Sequence, residues 1–289
     1  MIKNKKIKCG LTILEILLVI FQILVVLLAL YKDYFLIYDW IFFAINYLIA
    51  ILLILLIDKN KPSKWYKVGF ALAIFAINST FLYYLGNVNT VISKSQDKQH
   101  EVIIKEYKNM KLETIRLRRR GIIFGKNVET LIASSSYKAI ENGKYKIEWP
   151  NNEMSVLIYC TSEDETTDEK IYSFRGSKEG NYVNVMPSLQ GKWISENDPK
   201  NYFMVNSNDI VYAKDNKLYY YNNSDVKQQG ISAIIINSNT KDKPSLTLVL
   251  NSDSVIGEDC LVNKGGSITI MNISFEDSKG EIFRKSLLK

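Results

Sequence analysis

The sequence predicts a membrane-anchored protein, with three transmembrane helices followed by an all-β extracytoplasmic region of two small antiparallel modules. The second module is expected to be barrel- or sandwich-like. Three observations carry this. Three apolar runs of 18–20 residues crowd into residues 1–89, lysines flank those runs unevenly, and the remaining 200 residues are polar with short alternating stretches.

The apolar runs are Leu11–Leu30, Trp40–Ile57 and Val68–Asn87. A helix needs about 20 residues to cross a hydrocarbon core of roughly 30 Å. Lipid offers backbone groups no hydrogen bonds, so such runs must be helical. The first is too long for a cleaved signal peptide, no small-x-small site follows it, and further spans come next. Sidedness follows from charge. Lys3, Lys5, Lys6 and Lys8 precede the first run, and Lys59, Lys61, Lys64 and Lys67 separate the second from the third. The loop between the first two runs, "YKDYFLIYD", has one Lys against two Asp. Positive charge is retained on the cytoplasmic side. The expected location is therefore the cytoplasmic (inner) membrane, multi-pass, with the N-terminus cytoplasmic and residues 88–289 extracytoplasmic. Tyr31, Tyr34, Trp65, Tyr66, Tyr83 and Tyr84 fall where aromatic belts form. Gln22, Asn46 and Asn78 are suited to hydrogen bonds between helices, and Glu15 lies near the cytoplasmic end, so structural roles are favoured over a pore.

The polar part divides into a membrane-proximal β-module (90–170), a linker zone (171–186) and a C-terminal β-module (187–289). Residues 90–110 are read as an outward continuation of the third helix before strands begin. Glu113–Lys126 breaks at Gly121 as a hairpin would, and Tyr137–Cys160 holds two runs joined by "PNNE". "SEDETTDEK", Ser162–Lys170, is read as an acidic turn. Nine short strands follow: Lys192–Ser195, Tyr202–Val205, Ile210–Ala213, Lys217–Tyr221, Ile231–Ile236, Ser245–Leu250, Val255–Leu261, Ser267–Phe275 and Glu281–Lys285. Short, regularly spaced strands with Gly/Asn/Asp turns predict a barrel or sandwich.

The Gly191-Lys192-Trp193 triplet opens this last module and resembles the G-x-W start of lipocalin-like (calycin) barrels. The resemblance covers about Pro187–Lys289. It implies that Trp193 closes one barrel end and that Arg284, in the last strand, stacks over it; an open ligand cup and a filled barrel both remain compatible. The remainder of the chain resembles bacterial multi-span membrane proteins with an outer β-domain, through "NGKYKIEWPNNEMSVLIYC" (Asn142–Cys160), a likeness that implies no activity.

Charge excludes a nucleic-acid role. The net charge of +7 contains +5 from residues 1–89, leaving +2 for the polar part. The basic residues of that part are concentrated early. Residues 90–150 carry 13 basic and 7 acidic groups, and residues 151–289 carry 15 basic and 19 acidic. Arg116, Arg118, Arg119 and Arg120 form a basic strand expected to meet anionic lipid headgroups or an anionic envelope polymer. The alternative is a solvated strand face whose charge discourages edge pairing.

Parts for catalysis are scarce. His100 is the single histidine and is read as an exposed linker residue, which leaves zinc sites and Ser-His-Asp triads without components. The carboxylates of "EDETTDE" lie in a stretch read as a flexible turn, without the burial that tunes a catalytic acid. No cofactor or metal is expected. Cys160 and Cys260 pair or stand apart; sequence leaves both open, and Cys9 precedes the apolar run, unlike a lipoprotein anchor. The expected function is therefore non-enzymatic: display of outer β-modules for binding a ligand, envelope polymer or protein partner, in envelope stress, sensing or immunity. An accessory subunit of a transport or secretion complex and a membrane-anchored hydrolase are the alternatives.

Overall fold

The structure is a computed structural model and describes residues 4–57, 64–107, 114–131, 137–163, 166–175, 184–206, 209–238, 240, 242–276 and 279–286. Lys3, Lys59 and Lys61, three of the lysines used for sidedness, lie outside the described residues. Two compact units divide the chain: Met1–Ser93 with Val102–Asn142, and Lys94–Glu101 with Gly143–Lys289. The boundary differs from the expected one. The proximal module of residues 90–170 is split, its first strands belonging with the helices and its later ones with the C-terminal part.

In the first unit, α1 (Lys5–Lys32) is capped by Asn4, whose side chain accepts from the Lys6 N–H at 3.0 Å. The chain then forms a short strand, β1 (Tyr34–Leu36), before α2 (Trp40–Leu55) and α3 (Lys64–Leu85). The helices carry large exposed apolar side chains, among them Leu17, Ile20, Phe70 and Leu72. Water penalises such surface and lipid accommodates it. Two helices, Lys5–Lys32 and Trp65–Tyr84, are long and apolar enough to cross a membrane, where the sequence predicts three. The middle one has 16 helical residues, about 24 Å at 1.5 Å each. The expected polar residues tie the helices together. Gln22 Nε2 donates to the Phe42 carbonyl at 2.7 Å, and Asn46 Nδ2 donates to Asn78 Oδ1 at 2.9 Å. Asn78 in turn donates to the Phe43 carbonyl at 3.2 Å.

After α3 the chain is strand, not continued helix. β2 (Val88–Lys94) and β3 (Glu101–Tyr107) carry β-branched Val88, Val91, Ile92, Val102, Ile103 and Ile104, which favour a pleated surface over a helix. β4 (Thr114–Arg120) and β5 (Phe124–Leu131) make the predicted hairpin, turning at Gly121 with φ +78°. The sheet order is β1-β5-β4-β3-β2, so the α1–α2 connection is its edge strand. Tyr34, Phe35 and Leu36 pair with Lys126, Gly125 and Phe124. Gly125 is required there, because a Cβ would lie 2.9 Å from the Leu117 Cβ. Ile37, Ile103, Ile115 and Leu117 form the core of this sheet.

The second unit has two sheets. β6 (Tyr145–Asn151), β7 (Met154–Cys160) and β8 (Thr167–Ser173) form a three-stranded sheet with β7 central. The stretch read as an acidic turn thus becomes strand from Thr167 onward, its Asp168 and Glu169 paired with Tyr159 and Ile158. A short helical turn, α4 (Val185–Ser188), precedes β9 (Gly191–Ser195), β10 (Tyr202–Val205), β11 (Ile210–Lys214) and β12 (Lys217–Tyr221). Then come β13 (Val226–Gln229), β14 (Ala233–Ile236), β15 (Leu246–Leu250), β16 (Ser267–Asn272) and β17 (Glu281–Lys285). These nine strands make one antiparallel sheet, ordered β12-β11-β10-β9-β17-β16-β15-β14-β13, curled into a half-barrel. The first and last strands, β9 and β17, pair at its centre. Six of the nine expected strands recur to within one residue at each end, and Ile231–Ile236 and Ser267–Phe275 are shortened to Ala233–Ile236 and Ser267–Asn272. Val255–Leu261 is not a strand; it is a loop closed by one bridge between Ile256 and Val262. Gly257 and left-handed Cys260, φ +61°, interrupt its alternation.

The concave face is filled. Trp193, Phe203, Tyr212, Leu248, Ile268 and Phe283 belong to one buried cluster. The convex face of β14–β16 receives the three-stranded sheet, with Met154 against Ala233 and Val249, and Val156 and Ile158 against Met271.

Candidate functional site

The two sheets of the second unit separate at one end, and the gap is a cleft of about 520 Å³. β8 supplies one wall through Thr167, Asp168 and Glu169. The convex face supplies the other through Lys227, Ile235, Asn237, Ser245 and Ile273. Strand pairing sets that second wall: Lys227 lies opposite Ile235, Ile235 opposite Thr247, and Thr247 opposite Met271. Side chains of cross-strand partners project to the same face, so these residues form a row under β8.

Glu169 is the chemically distinctive member. It is 3 % exposed. Its Oε2 accepts from Thr247 Oγ1 at 2.7 Å, while Oε1 is buried without a hydrogen-bond partner. No ion pair reaches it among the described residues. Burial pushes its carboxyl up to about 8; the Thr247 hydrogen bond opposes that and the Asp168 charge adds to it. The backbone around it is held firmly. Gln229 donates to the Glu169 carbonyl at 3.2 Å and accepts from the Ile171 N–H at 2.9 Å, bridging β8 to β13. Asp168 accepts from Tyr159 Oη at 3.2 Å and from the Glu169 N–H at 2.8 Å.

The residues singled out by sequence fall elsewhere. Trp193 is fully buried in the half-barrel core, and its indole N–H donates to the Leu189 carbonyl at 2.8 Å. Arg284 does not cover it. In the β9–β17 register Trp193 faces Lys285, and Arg284 faces Ile194. Side chains alternate along a strand, so one position decides the matter. Lys285 Nζ lies 5.7 Å from the Trp193 ring, whereas Arg284 is exposed on the other face with Glu196 and Asp253. Of the basic strand, Arg116 pairs with Glu129 at 3.4 Å, and Arg119 donates to the Ile122 carbonyl at 3.0 Å. Arg118 and Arg120 are exposed and share a face by their spacing of two.

Three features were missed in the sequence. His100 is half-buried, not a bare linker: its ring stacks on Phe174 at 5.0 Å, and Phe174 stacks on Trp149 at 5.5 Å. Lys105, in β3, is fully buried; its Nζ meets Asp39 Oδ2 at 2.5 Å and the Leu36 carbonyl at 2.8 Å. Burial lowers the affinity of that amine for its proton, and Asp39 partly restores it. A lysine directly after the apolar run Val102–Ile104 was the available signal. Glu169 gave a weaker one: it looks like the adjacent Asp168 until strand pairing and burial set it between the sheets. Cys160 is buried in β7 and Cys260 is exposed, with no disulfide joining them.

No protein-family model, curated protein or solved structure matches this chain. The half-barrel is therefore described by its own strand order, without a family.

Proposed function

We propose that this chain is a membrane-anchored, non-enzymatic protein that holds two β-units outside the cytoplasmic membrane, the second serving as a binding module. Two helices long and apolar enough to cross a membrane support the anchoring, and one observation supports the sidedness: the strand between α1 and α2 belongs to the same sheet as the strands after α3. In this reading the end of α1, the start of α2 and the end of α3 lie on one side of the bilayer. The start of α1, the end of α2 and the start of α3 then face the other side, and the sequence next to them is lysine-rich. The short α2 returns the chain, packed against α1 and α3 through the amides of Gln22, Asn46 and Asn78.

The chain carries its own test. Cys9 and Cys260 are exposed and Cys160 is buried. A membrane-impermeant maleimide applied to intact cells should label Cys260 and spare Cys9, with Cys9 labelled only after permeabilisation. Labelling of Cys9 in intact cells, or protection of Cys260, would overturn the sidedness.

A further inference from the structure

We propose that the cleft between the three-stranded sheet and the half-barrel binds an organic ammonium cation, with Glu169 as its counter-ion. The inference deepens the reading of the second unit as a binding module and rests on it.

Glu169 lines the cleft; its Oε2 is committed to Thr247, and its Oε1 is buried without a hydrogen-bond partner. Buried carboxylates without a charge partner are disfavoured in folded proteins, and unmet buried acceptors are few. An ammonium group supplies what is missing: a positive charge and several N–H donors. Thr167, Ser245 and Asn237 add oxygen acceptors along the walls, and Asp168 lies at the rim. Ile235 and Ile273 give an apolar strip that suits the methylenes of an alkylamine. No aromatic ring lines the cleft among the described residues, so a sugar ring or nucleobase finds no stacking platform. A group of three or more His, Cys, Asp or Glu fit for a metal ion is likewise absent among them. Residues 151–289, with 19 acids against 15 bases, attract cations over a longer range.

Proton linkage distinguishes this ligand from a neutral one. The cation needs Glu169 ionised, whereas a neutral acceptor needs it protonated. The charged and titratable groups facing the carboxyl are few. β8 brings Asp168, β7 brings Tyr159 through Asp168, and β13 brings Lys227, while β14–β16 present uncharged Ile235, Thr247 and Met271, and Ile273 follows β16. Affinity for the ammonium should therefore rise with pH toward about 8, where Glu169 titrates.

The probe is 1,4-diaminobutane, added to the full-length protein in detergent and followed by calorimetry at pH 6, 7 and 8 at constant ionic strength. Saturable binding should strengthen close to tenfold per pH unit below about 8. Tetramethylammonium, which lacks N–H donors, should bind at least tenfold more weakly. Glu169→Gln keeps the volume and the Thr247 hydrogen bond; it should remain folded and lose the pH dependence and at least tenfold in affinity. No saturable binding, equal binding by folded Glu169→Gln, or affinity that falls with pH overturns the proposal. Loss of binding with the maleimide pattern intact removes the ammonium site and leaves the anchored module standing. A reversed maleimide pattern removes the sidedness instead.

Discussion

Replacing Glu169 by glutamine should change how the second unit responds to pH. The native fold holds the carboxyl at about 8, against 4.5 for the unperturbed group. The folded state thus binds the proton more tightly than the unfolded one. Its stabilising effect is complete below about pH 4.5 and is lost as pH rises toward 8, because the unfolded chain ionises freely while the buried carboxyl cannot. At 1.36 kcal/mol per pH unit, the loss over that interval is about 5 kcal/mol, comparable with the whole stability of many domains. Glutamine imitates the protonated acid at every pH. Its carbonyl still accepts from Thr247, and its amide occupies the position of the buried Oε1. Urea unfolding of the full chain in detergent, read by tryptophan fluorescence with Trp40, Trp65 and Trp149 replaced by Phe so that buried Trp193 alone reports, should show this background weakening steadily between pH 5 and 8. Glu169→Gln in the same background should stay nearly flat and exceed it most at pH 8. Parallel profiles for the two proteins would refute the claim that Glu169 is held protonated between the sheets.

Lys105→Met should destabilise the first unit by about 3–5 kcal/mol, because it leaves Asp39 without its buried partner. Lys105→Met with Asp39→Asn should recover most of that, measured by thermal melting in detergent. At the sheet beside the helices, Arg118→Glu with Arg120→Glu should weaken sedimentation with anionic liposomes several-fold and leave neutral liposomes unaffected, at about 1 kcal/mol per basic residue near such a surface. Unchanged sedimentation would assign those arginines to a solvated face. Arg116→Ala should matter less there, since Arg116 already meets Glu129.

Much of the architecture was legible because its signals are local. Apolar length marks a helix, alternation with a Gly or Asn turn marks a hairpin, and both survive whatever the rest of the chain does. The β4–β5 and β6–β7 hairpins and most strands of the half-barrel follow from that. What failed depends on pairing between distant segments. Tyr34–Leu36 reads as an interfacial loop until Phe124–Lys126 is placed beside it. Arg284 and Lys285 are equivalent in the sequence, and only the register between β9 and β17 tells which one faces Trp193. Glu169 differs from the adjacent Asp168 in its burial. Its hydrogen-bond partner there, Thr247, lies 78 residues later.

The α1–α2 connection also sets an order of assembly. Tyr34 pairs with Lys126, so the first loop leaves the ribosome about 90 residues before its partner strand. At about 5–20 residues per second of synthesis, that edge waits several seconds with its backbone unpaired. A nascent chain released at the end of α3 would keep its helices and lose the sheet that fixes their outer ends. The sheet that joins the helix ends is therefore completed late in translation.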